Sequence, residues 1–102
     1  MRGMFVCSAL AAGAALATVL AAPAQADEID DIFISVLDDE GIPYTSPGDA
    51  ITVANAVCDY LADGNSLEDA TVEVMNESGL GITDSGFFVG ASTAAYCSEY
   101  SP

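Results

Sequence analysis

The side chains in this sequence that are able to do chemistry are carboxylates and thiols. The chain has 16 Asp and Glu residues, three Cys residues and no His, and its single basic residue is Arg2. Without His, neither a Ser-His nor a Cys-His nucleophile pair can form within the chain, and without Lys there is no Schiff base. Carboxylate chemistry is therefore the only common catalytic route open to this protein.

Two carboxylates are able to act as acid and nucleophile, as they do in glycosidases. With 16 acidic residues, however, some pair lies at almost any chosen distance, so a suitable separation carries little information. A chain this short also has difficulty building both a core and a substrate cleft. We predict that the protein is not an enzyme, with no catalytic residues and no cofactor, and keep a carboxylate-based hydrolase as the second alternative.

Divalent cation binding is a second use of carboxylates. The acidic groups that lie close together in sequence are the cluster Asp38, Asp39 and Glu40 and the i, i+4 pairs Glu73 with Glu77 and Asp59 with Asp63. Calcium takes six to eight oxygen ligands, and no segment has the alternating acidic pattern and glycine of an EF-hand loop. A solvated acidic surface is the favoured interpretation, and weak calcium binding is the alternative function.

The N-terminal segment has the three parts of a secretory signal peptide. Arg2 is followed by an uncharged, mostly Ala, Leu and Val run from 4 to 22, which ends at Ala24-Gln25-Ala26, a small-x-small cleavage motif. A transmembrane anchor is the rival interpretation, but the cleavage motif and the lack of flanking charge weigh against it. We predict a cleavable leader at 1–26 and a secreted, extracellular or cell-envelope domain at 27–102.

Cleavage would leave two of the three cysteines, because Cys7 lies in the leader. Cys58 and Cys97 then form an even pair in an oxidising compartment, with one possible intramolecular connectivity. The spacing matches no zinc pattern, and no His accompanies the pair. We predict a Cys58–Cys97 disulfide that stabilises a small domain with a marginal core.

The segment 27–102 carries all 16 acidic residues and no basic one, which is a formal side-chain charge of −16. Nucleic acid and anionic lipid headgroups would repel such a surface, so we predict no nucleic-acid partner and no membrane insertion after cleavage. A cationic protein or peptide is the electrostatically favoured partner, and a non-catalytic binding module is the leading function. The charge alternatively serves only solubility. Tyr44 and Tyr100 are candidate exposed aromatics for a contact surface, and the alternative is that they attach loops to the core.

Apolar periodicity predicts four helices. In the first, about 27–40, one face carries Ile29, Ile32, Phe33, Val36 and Leu37, and Gly41 followed by Ile42 and Pro43 indicates a Schellman end. Cap patterns at Ser46 and Ser66 begin the second and third helices, which end near Gly64 and Gly79. The fourth covers about 83–98.

Small residues line one stripe of the fourth helix, at Gly86, Gly90, Ala94 and Cys97, and one stripe of the second, at Ala50, Ala54 and Cys58. Both stripes lead to a cysteine. We predict that they let the two helix backbones approach closely and bring the cysteines within disulfide distance. The alternative is that these are ordinary core residues. The predicted fold is an all-α bundle of about four short helices with one disulfide.

These residues together resemble a protein family, the small actinobacterial secreted proteins of domain of unknown function 732. The segments that carry the resemblance are Asp30-Asp31-Ile32-Phe33, Gly41-Ile42-Pro43-Tyr44, Ala50-Ile51 with Val57-Cys58, Leu61 with Gly64, and Phe88-Val89 with Ala95-Tyr96-Cys97. This chain has Ser98 where the family often continues with Pro. The resemblance implies an exported helical domain with paired cysteines and no assigned catalytic residues.

Overall fold

The structure is a computed structural model that describes residues 12–102, with side chains described from Ala26 onward. It contains the helices α1 (Ala12–Glu40), α2 (Pro47–Ala62), α3 (Leu67–Ser78) and α4 (Ile82–Tyr96), followed by a short 3-10 helix, Ser98–Tyr100. The prediction of an all-α fold of four helices is confirmed for this part of the chain. The predicted first helix is the C-terminal half of α1, and much of the predicted leader lies outside the described residues.

Serine side chains begin α2 and α3, as their cap patterns predict. The Asp49 backbone N–H donates to Ser46 Oγ at 3.1 Å, and the Asp69 N–H donates to Ser66 Oγ at 3.0 Å. Each bond satisfies a donor that would otherwise lack a partner in the first helical turn. The starts of these two helices are therefore encoded locally.

The end of α1 is the predicted Schellman motif. Gly41 is left-handed at φ 75°, and the Ile42 N–H donates to the Leu37 carbonyl at 2.9 Å. Ile42 and Leu37 are both buried, which supplies the apolar contact that accompanies this motif. The turn therefore directs the chain from α1 back over the core toward α2.

The core is contributed by all four helices, and α4 packs against each of the other three. The residues that form it are Phe33, Leu37, Ile42, Ala50, Ala54, Val57, Leu61, Ala70, Val74, Phe88 and Val89. Phe33 attaches α1 to α4 through edge-to-face contacts, with ring centroids 5.6 Å from Phe88 and 5.5 Å from Tyr96. Such aromatic pairs add to the stabilisation that area burial alone provides.

The predicted buried face of α1 is only partly correct. Phe33 and Leu37 are buried, but Ile32 is 62% exposed and Ile29 is 37% exposed. Ile32 lies instead on the border of a shallow apolar groove of about 170 Å³ between α1 and α4. The helix contacts the bundle along a stripe narrower than its apolar face, because Ala91, Ala94 and Ala95 on α4 are too short to cover it.

The predicted disulfide is confirmed. Cys58 and Cys97 are bonded, with Cα atoms 5.9 Å apart, and they join the C-terminal part of α2 to the end of α4. Cys97 is buried and Cys58 is half-buried. The bond therefore lies at the edge of the core.

The packing prediction for the small-residue stripes is wrong for α4. On α2, Ala50 and Ala54 are buried, but Gly86 and Ala94 are exposed and a Cβ added to Gly86 or Gly90 would meet no atom within 4 Å. The face of α4 that is buried carries Ser85, Val89, Ser92 and Thr93. The Ser and Thr hydroxyls of this face donate to carbonyls a few residues earlier in the chain, as Ser92 Oγ does to the Phe88 carbonyl at 2.7 Å. Short polar side chains can therefore be buried there.

In the part of the chain that the structure describes, no helix combines the length and the apolar character that crossing a bilayer requires.

Candidate binding groove

The larger concave feature is a groove of about 360 Å³ between α2 and α3. The apolar side chains that line it are Val53, Ala56, Val57, Ala70 and Val74. Val57, Ala70 and Val74 belong to the core, whereas Val53 is half-buried and Ala56 is exposed. The groove therefore has a fixed floor that is continuous with the core and one wall open to solvent.

Two carboxylates lie along the α3 side of this groove. Glu73 and Glu77 are both exposed and lie four residues apart on α3, so they are stacked one helical turn above the other. Thr52 and Tyr60 supply the polar groups of the α2 side. The groove thus has one acidic wall and one neutral wall, and residues 27–102 contain no basic side chain that could pair with the acidic wall.

The raised pKa of Tyr60 indicates the electrostatic character of the groove. Partial burial raises the pKa of its hydroxyl, and the negative charges of Glu73 and Asp69 raise this pKa further. Both effects oppose the formation of another anion at this position. The same potential favours a cation at this end of the groove.

The groove arises from the local sequence of the two helices. A short connection, 63–66, makes α2 and α3 neighbours, and the Asn65 side-chain amide donates to the Tyr60 carbonyl at 2.9 Å to hold this connection. On α2, Ala56 lies between the larger side chains of Val53 and Tyr60. An alanine at this position leaves a space that a larger side chain would fill.

Asp38 and Tyr44, two residues singled out for different reasons in the sequence, are bonded to each other. The Tyr44 hydroxyl donates to Asp38 Oδ1 at 2.7 Å, and this hydrogen bond is the main cause of the raised pKa of Tyr44. The contact attaches the α1–α2 loop to the end of α1. Tyr44 thus stabilises the loop, and it is half-buried rather than exposed as expected.

Tyr100, the other aromatic candidate, also differs from expectation. It lies in the 3-10 helix after Cys97, is half-buried and packs against the core. The structure therefore does not combine Tyr44 and Tyr100 into one exposed aromatic surface. Their contacts are those of residues that hold loops against the core.

The acidic cluster at the end of α1 is not arranged as a cation site. Asp38, Asp39 and Glu40 are consecutive helical residues, so their side chains point about 100° apart around the axis. Among the described residues, no group of three or more acidic, His or Cys side chains is positioned to hold a metal ion. Weak calcium binding stays a prediction that has no assigned site.

The groove residues Val53, Ala56 and Tyr60 are absent from the sequence-based candidates. Their signal in the sequence is a second apolar stripe on α2, at positions 53, 56, 57 and 60, beside the core stripe that contains Ala50 and Ala54. Glu73 with Glu77 was identified as a shared helical face, and the structure places this face on the groove. Periodicity locates such stripes but does not indicate that α2 and α3 leave a space between them.

Comparison with known proteins identifies a family and several mycobacterial relatives. The family model described as "Protein of unknown function (DUF732)" matches residues 25–99. The chain is 33% identical over 90 residues to "Uncharacterized protein Rv1271c" of Mycobacterium tuberculosis, covering 88% of this chain and 80% of the relative. It is 34% identical over 80 residues to "Uncharacterized protein Mb1323c" of Mycobacterium bovis, covering 78% of this chain and 72% of the relative.

A third relative carries a more informative name. The chain is 30% identical over 78 residues to the M. tuberculosis protein named "Putative lipoprotein LprJ", covering 76% of this chain and 61% of the relative. No solved structure matches this chain.

Proposed function

The chain belongs to the DUF732 family, whose matched region includes all four helices of the bundle from residue 25 onward, and from this premise we propose that the bundle is a non-catalytic binding module of the cell envelope or extracellular space. Its partner is a cationic protein or peptide. The observation that carries the proposal is an apolar groove with an acidic wall in a domain that has no basic side chain of its own.

The location outside the cytoplasm is supported by three features. The sequence of residues 1–26 has the parts of a cleavable leader, and a relative bears the name "Putative lipoprotein LprJ". The Cys58–Cys97 bond is also the type of cross-link that persists in oxidising compartments. Because Cys7 precedes the end of the apolar run, we propose that this leader is removed at Ala26 rather than lipidated at Cys7.

The charge of the domain supports the choice of partner. Its carboxylates lie mainly on the surface, and no Lys, Arg or His in residues 27–102 neutralises them. A field of one sign raises the association rate of an oppositely charged partner and repels nucleic acid and anionic lipid. A basic protein or peptide therefore meets a favourable potential over the whole domain.

The arrangement of the groove carboxylates favours binding over catalysis. A glycosidase needs two carboxylates on opposite sides of the bond that is cleaved. Glu73 and Glu77 lie on the same helix and on the same wall, so both would contact a ligand from one side. This geometry suits the pairing of two positive charges on one partner.

Titration calorimetry with defined peptides tests the proposal. The oxidised protein is titrated with an amphipathic Leu/Lys peptide and with its Leu/Glu counterpart, each at about 20 mM and about 300 mM NaCl. We expect saturable binding of the Lys peptide that weakens at the higher salt concentration, and no binding of the Glu peptide. Equal binding of both peptides, or of neither, would show that the proposed function is wrong.

Fractionation tests the proposed location. We expect the protein in culture filtrate or in the envelope fraction, with Asp27 as its first residue on N-terminal sequencing. An intact N-terminus in the cytoplasmic fraction would contradict export.

A further inference from the structure

We propose that the α2–α3 groove is the docking site for one helical segment of the cationic partner, whose apolar side chains cover the groove floor while its Lys or Arg side chains pair with Glu73 and Glu77. This inference rests on the proposed function and names the surface and the element that it uses. Three features support it: the apolar floor of the groove, the spacing of Glu73 and Glu77, and the negative charge of the domain.

The apolar floor of the groove favours a partner that has apolar side chains as well as positive charges. Val53, Val57 and Val74 present methyl groups to the groove, and the exposed methyl of Ala56 extends them to the surface. Covering such a surface releases water and stabilises a complex in proportion to the apolar area that is buried. A purely polar polycation would leave the accessible apolar surface of Val53 and Ala56 in water, so the partner must also be apolar on one side.

The spacing of the two carboxylates selects a helix as the binding element. Glu73 and Glu77 are four residues apart on α3, a rise of about 6 Å along the helix axis. Lys or Arg residues at i, i+4 on a helix lying alongside have the same separation. A groove between two helices is also the setting in which amphipathic helices bind, through apolar residues at i, i+3, i+4 and i+7.

The position of the charges sets the orientation of the partner helix about its own axis. The acidic wall belongs to α3, whereas the α2 wall has Thr52 and Tyr60. The basic residues of the partner must therefore flank its apolar stripe on the side next to α3. Partial burial and then the negative charges of Glu73 and Asp69 raise the pKa of Tyr60, and these two charges extend the preference for a basic residue to the Tyr60 end of the groove.

A second copy of this chain does not fit the groove. Its residues 27–102 offer no Lys, Arg or His to pair with Glu73 and Glu77, and two such domains would repel each other through a formal side-chain charge of −16 each. The occupant is therefore a different protein. A small cationic amphiphile shares the same chemistry and is treated as an outcome of the test.

Two variant pairs separate groove binding from general attraction to an anion. E73Q/E77Q removes the acidic wall, and D59N/D63N removes the same amount of charge from an exposed pair at the C-terminal end of α2, outside the groove. A56F places a ring in the groove opening, and A62F places the same ring at another exposed position of α2 that does not line the groove. Circular dichroism and unfolding midpoints establish that each variant is folded before binding is measured.

The probe is the amphipathic Leu/Lys peptide, compared with a scrambled peptide of the same composition, at about 20 mM NaCl. We expect E73Q/E77Q to weaken binding by roughly three- to tenfold and D59N/D63N by less than about twofold. A56F should weaken binding by at least about tenfold, A62F should match the wild type, and the scrambled peptide should bind at least about tenfold more weakly.

Failure of this inference is distinguishable from failure of the proposed function. If the wild type binds the Lys peptide in a salt-dependent manner but the two charge variants behave alike and A56F binds normally, the groove assignment is wrong and the proposed function stands. Binding of the scrambled peptide, or of dodecyltrimethylammonium, with the same affinity and the same dependence on Glu73 and Glu77 would overturn the choice of a helix. If the wild type binds no cationic probe, both proposals fail.

Discussion

The Tyr96 hydroxyl donates a hydrogen bond to the Asp30 carboxylate across 66 positions of sequence. The bond joins the C-terminal end of α4 to α1, on the same side as the edge-to-face contact between Phe33 and the Tyr96 ring. Tyr96 thus contacts α1 twice, through its ring and through its hydroxyl. Tyr96 is therefore a principal attachment point of the first helix.

Removing the Tyr96 hydroxyl should destabilise the fold without disturbing its packing. We expect Y96F to lower the free energy of unfolding by about 1 kcal/mol, because the ring contact with Phe33 is kept while a hydrogen bond to a partly solvated carboxylate is lost. Urea unfolding of Y96F, D30A and the double variant measures the coupling between the two residues. Additive effects of the two substitutions would contradict the hydrogen bond.

Because of the same hydroxyl, we expect the free energy of unfolding to fall at alkaline pH. Partial burial, together with the hydrogen bond to Asp30 and its negative charge, raises the pKa of Tyr96 in the folded state. Above about pH 10 the unfolded chain loses this proton before the folded one does, so the unfolded state binds fewer protons and the free energy of unfolding falls. Below that pH the stabilising contribution is fully present.

The alkaline prediction is tested by urea unfolding between about pH 8 and pH 11. We expect the wild type to lose stability more steeply than Y96F above about pH 10, by less than about 1.4 kcal/mol per pH unit because solvent screens a half-buried hydroxyl. Parallel curves for the two proteins would show that the environment of Tyr96 does not differ between the folded and unfolded states.

The glycines of α4 provide a direct test of how this helix packs. A Cβ at Gly86 or Gly90 would meet no atom within 4 Å, and neither residue has a positive φ. We therefore expect G86A and G90A each to raise the free energy of unfolding by about 0.5 to 1 kcal/mol, since Ala is the better helix former. Thermal unfolding with circular dichroism detection measures the effect.

The matched control is G79A. Gly79 has φ 75° at the end of α3 and also has open space around it, so the backbone conformation alone distinguishes it from the α4 glycines. We expect G79A to destabilise the protein by about 1 kcal/mol. Destabilisation by G86A and G90A of the same size would instead support close packing of α4 along its glycine stripe.

The disulfide should contribute a large fraction of the total stability. It closes a loop with a sequence separation of 39, and such cross-links contribute about 2 to 4 kcal/mol in domains of this kind. Urea unfolding of C58A/C97A against the oxidised wild type measures the difference. Because Cys97 is buried, its substitution also removes side-chain packing. The cost of that loss is the difference in the free energy of unfolding between C97A and the wild type, both under reducing conditions, and this difference is subtracted. A remaining difference of less than about 0.5 kcal/mol would contradict a stabilising role.

The parts of this fold that local sequence encodes were predictable. Ser46 and Ser66 begin helices because a serine side chain satisfies the first free backbone donors, and Gly41 ends one because it adopts a left-handed conformation. The Cys58–Cys97 bond was predictable because Cys7 lies in the predicted leader and the two remaining cysteines allow one pairing. None of these inferences requires knowledge of how the helices pack.

The orientation of α4 was not predictable in the same way. Ser85, Ser92 and Thr93 can be buried because their hydroxyls bond to nearby carbonyls, so the buried face of α4 has the sequence pattern of a polar face. The outward glycines, in contrast, resemble a packing stripe. The α2–α3 groove was also not predictable from the sequence. A space between two helices depends on their separation and not on the apolar periodicity of either one.

The position of the cross-link divides the chain into a covalently closed segment and a free arm. The ring formed by Cys58 and Cys97 encloses the end of α2, all of α3 and all of α4, whereas α1 lies wholly outside it. Besides the peptide chain that continues into α2, α1 is held only by non-covalent contacts such as those of Phe33, Leu37 and Asp30, and the disulfide does not restrict its separation from the bundle. Hydrogen exchange through such partial opening is expected to be faster for α1 than for the enclosed helices.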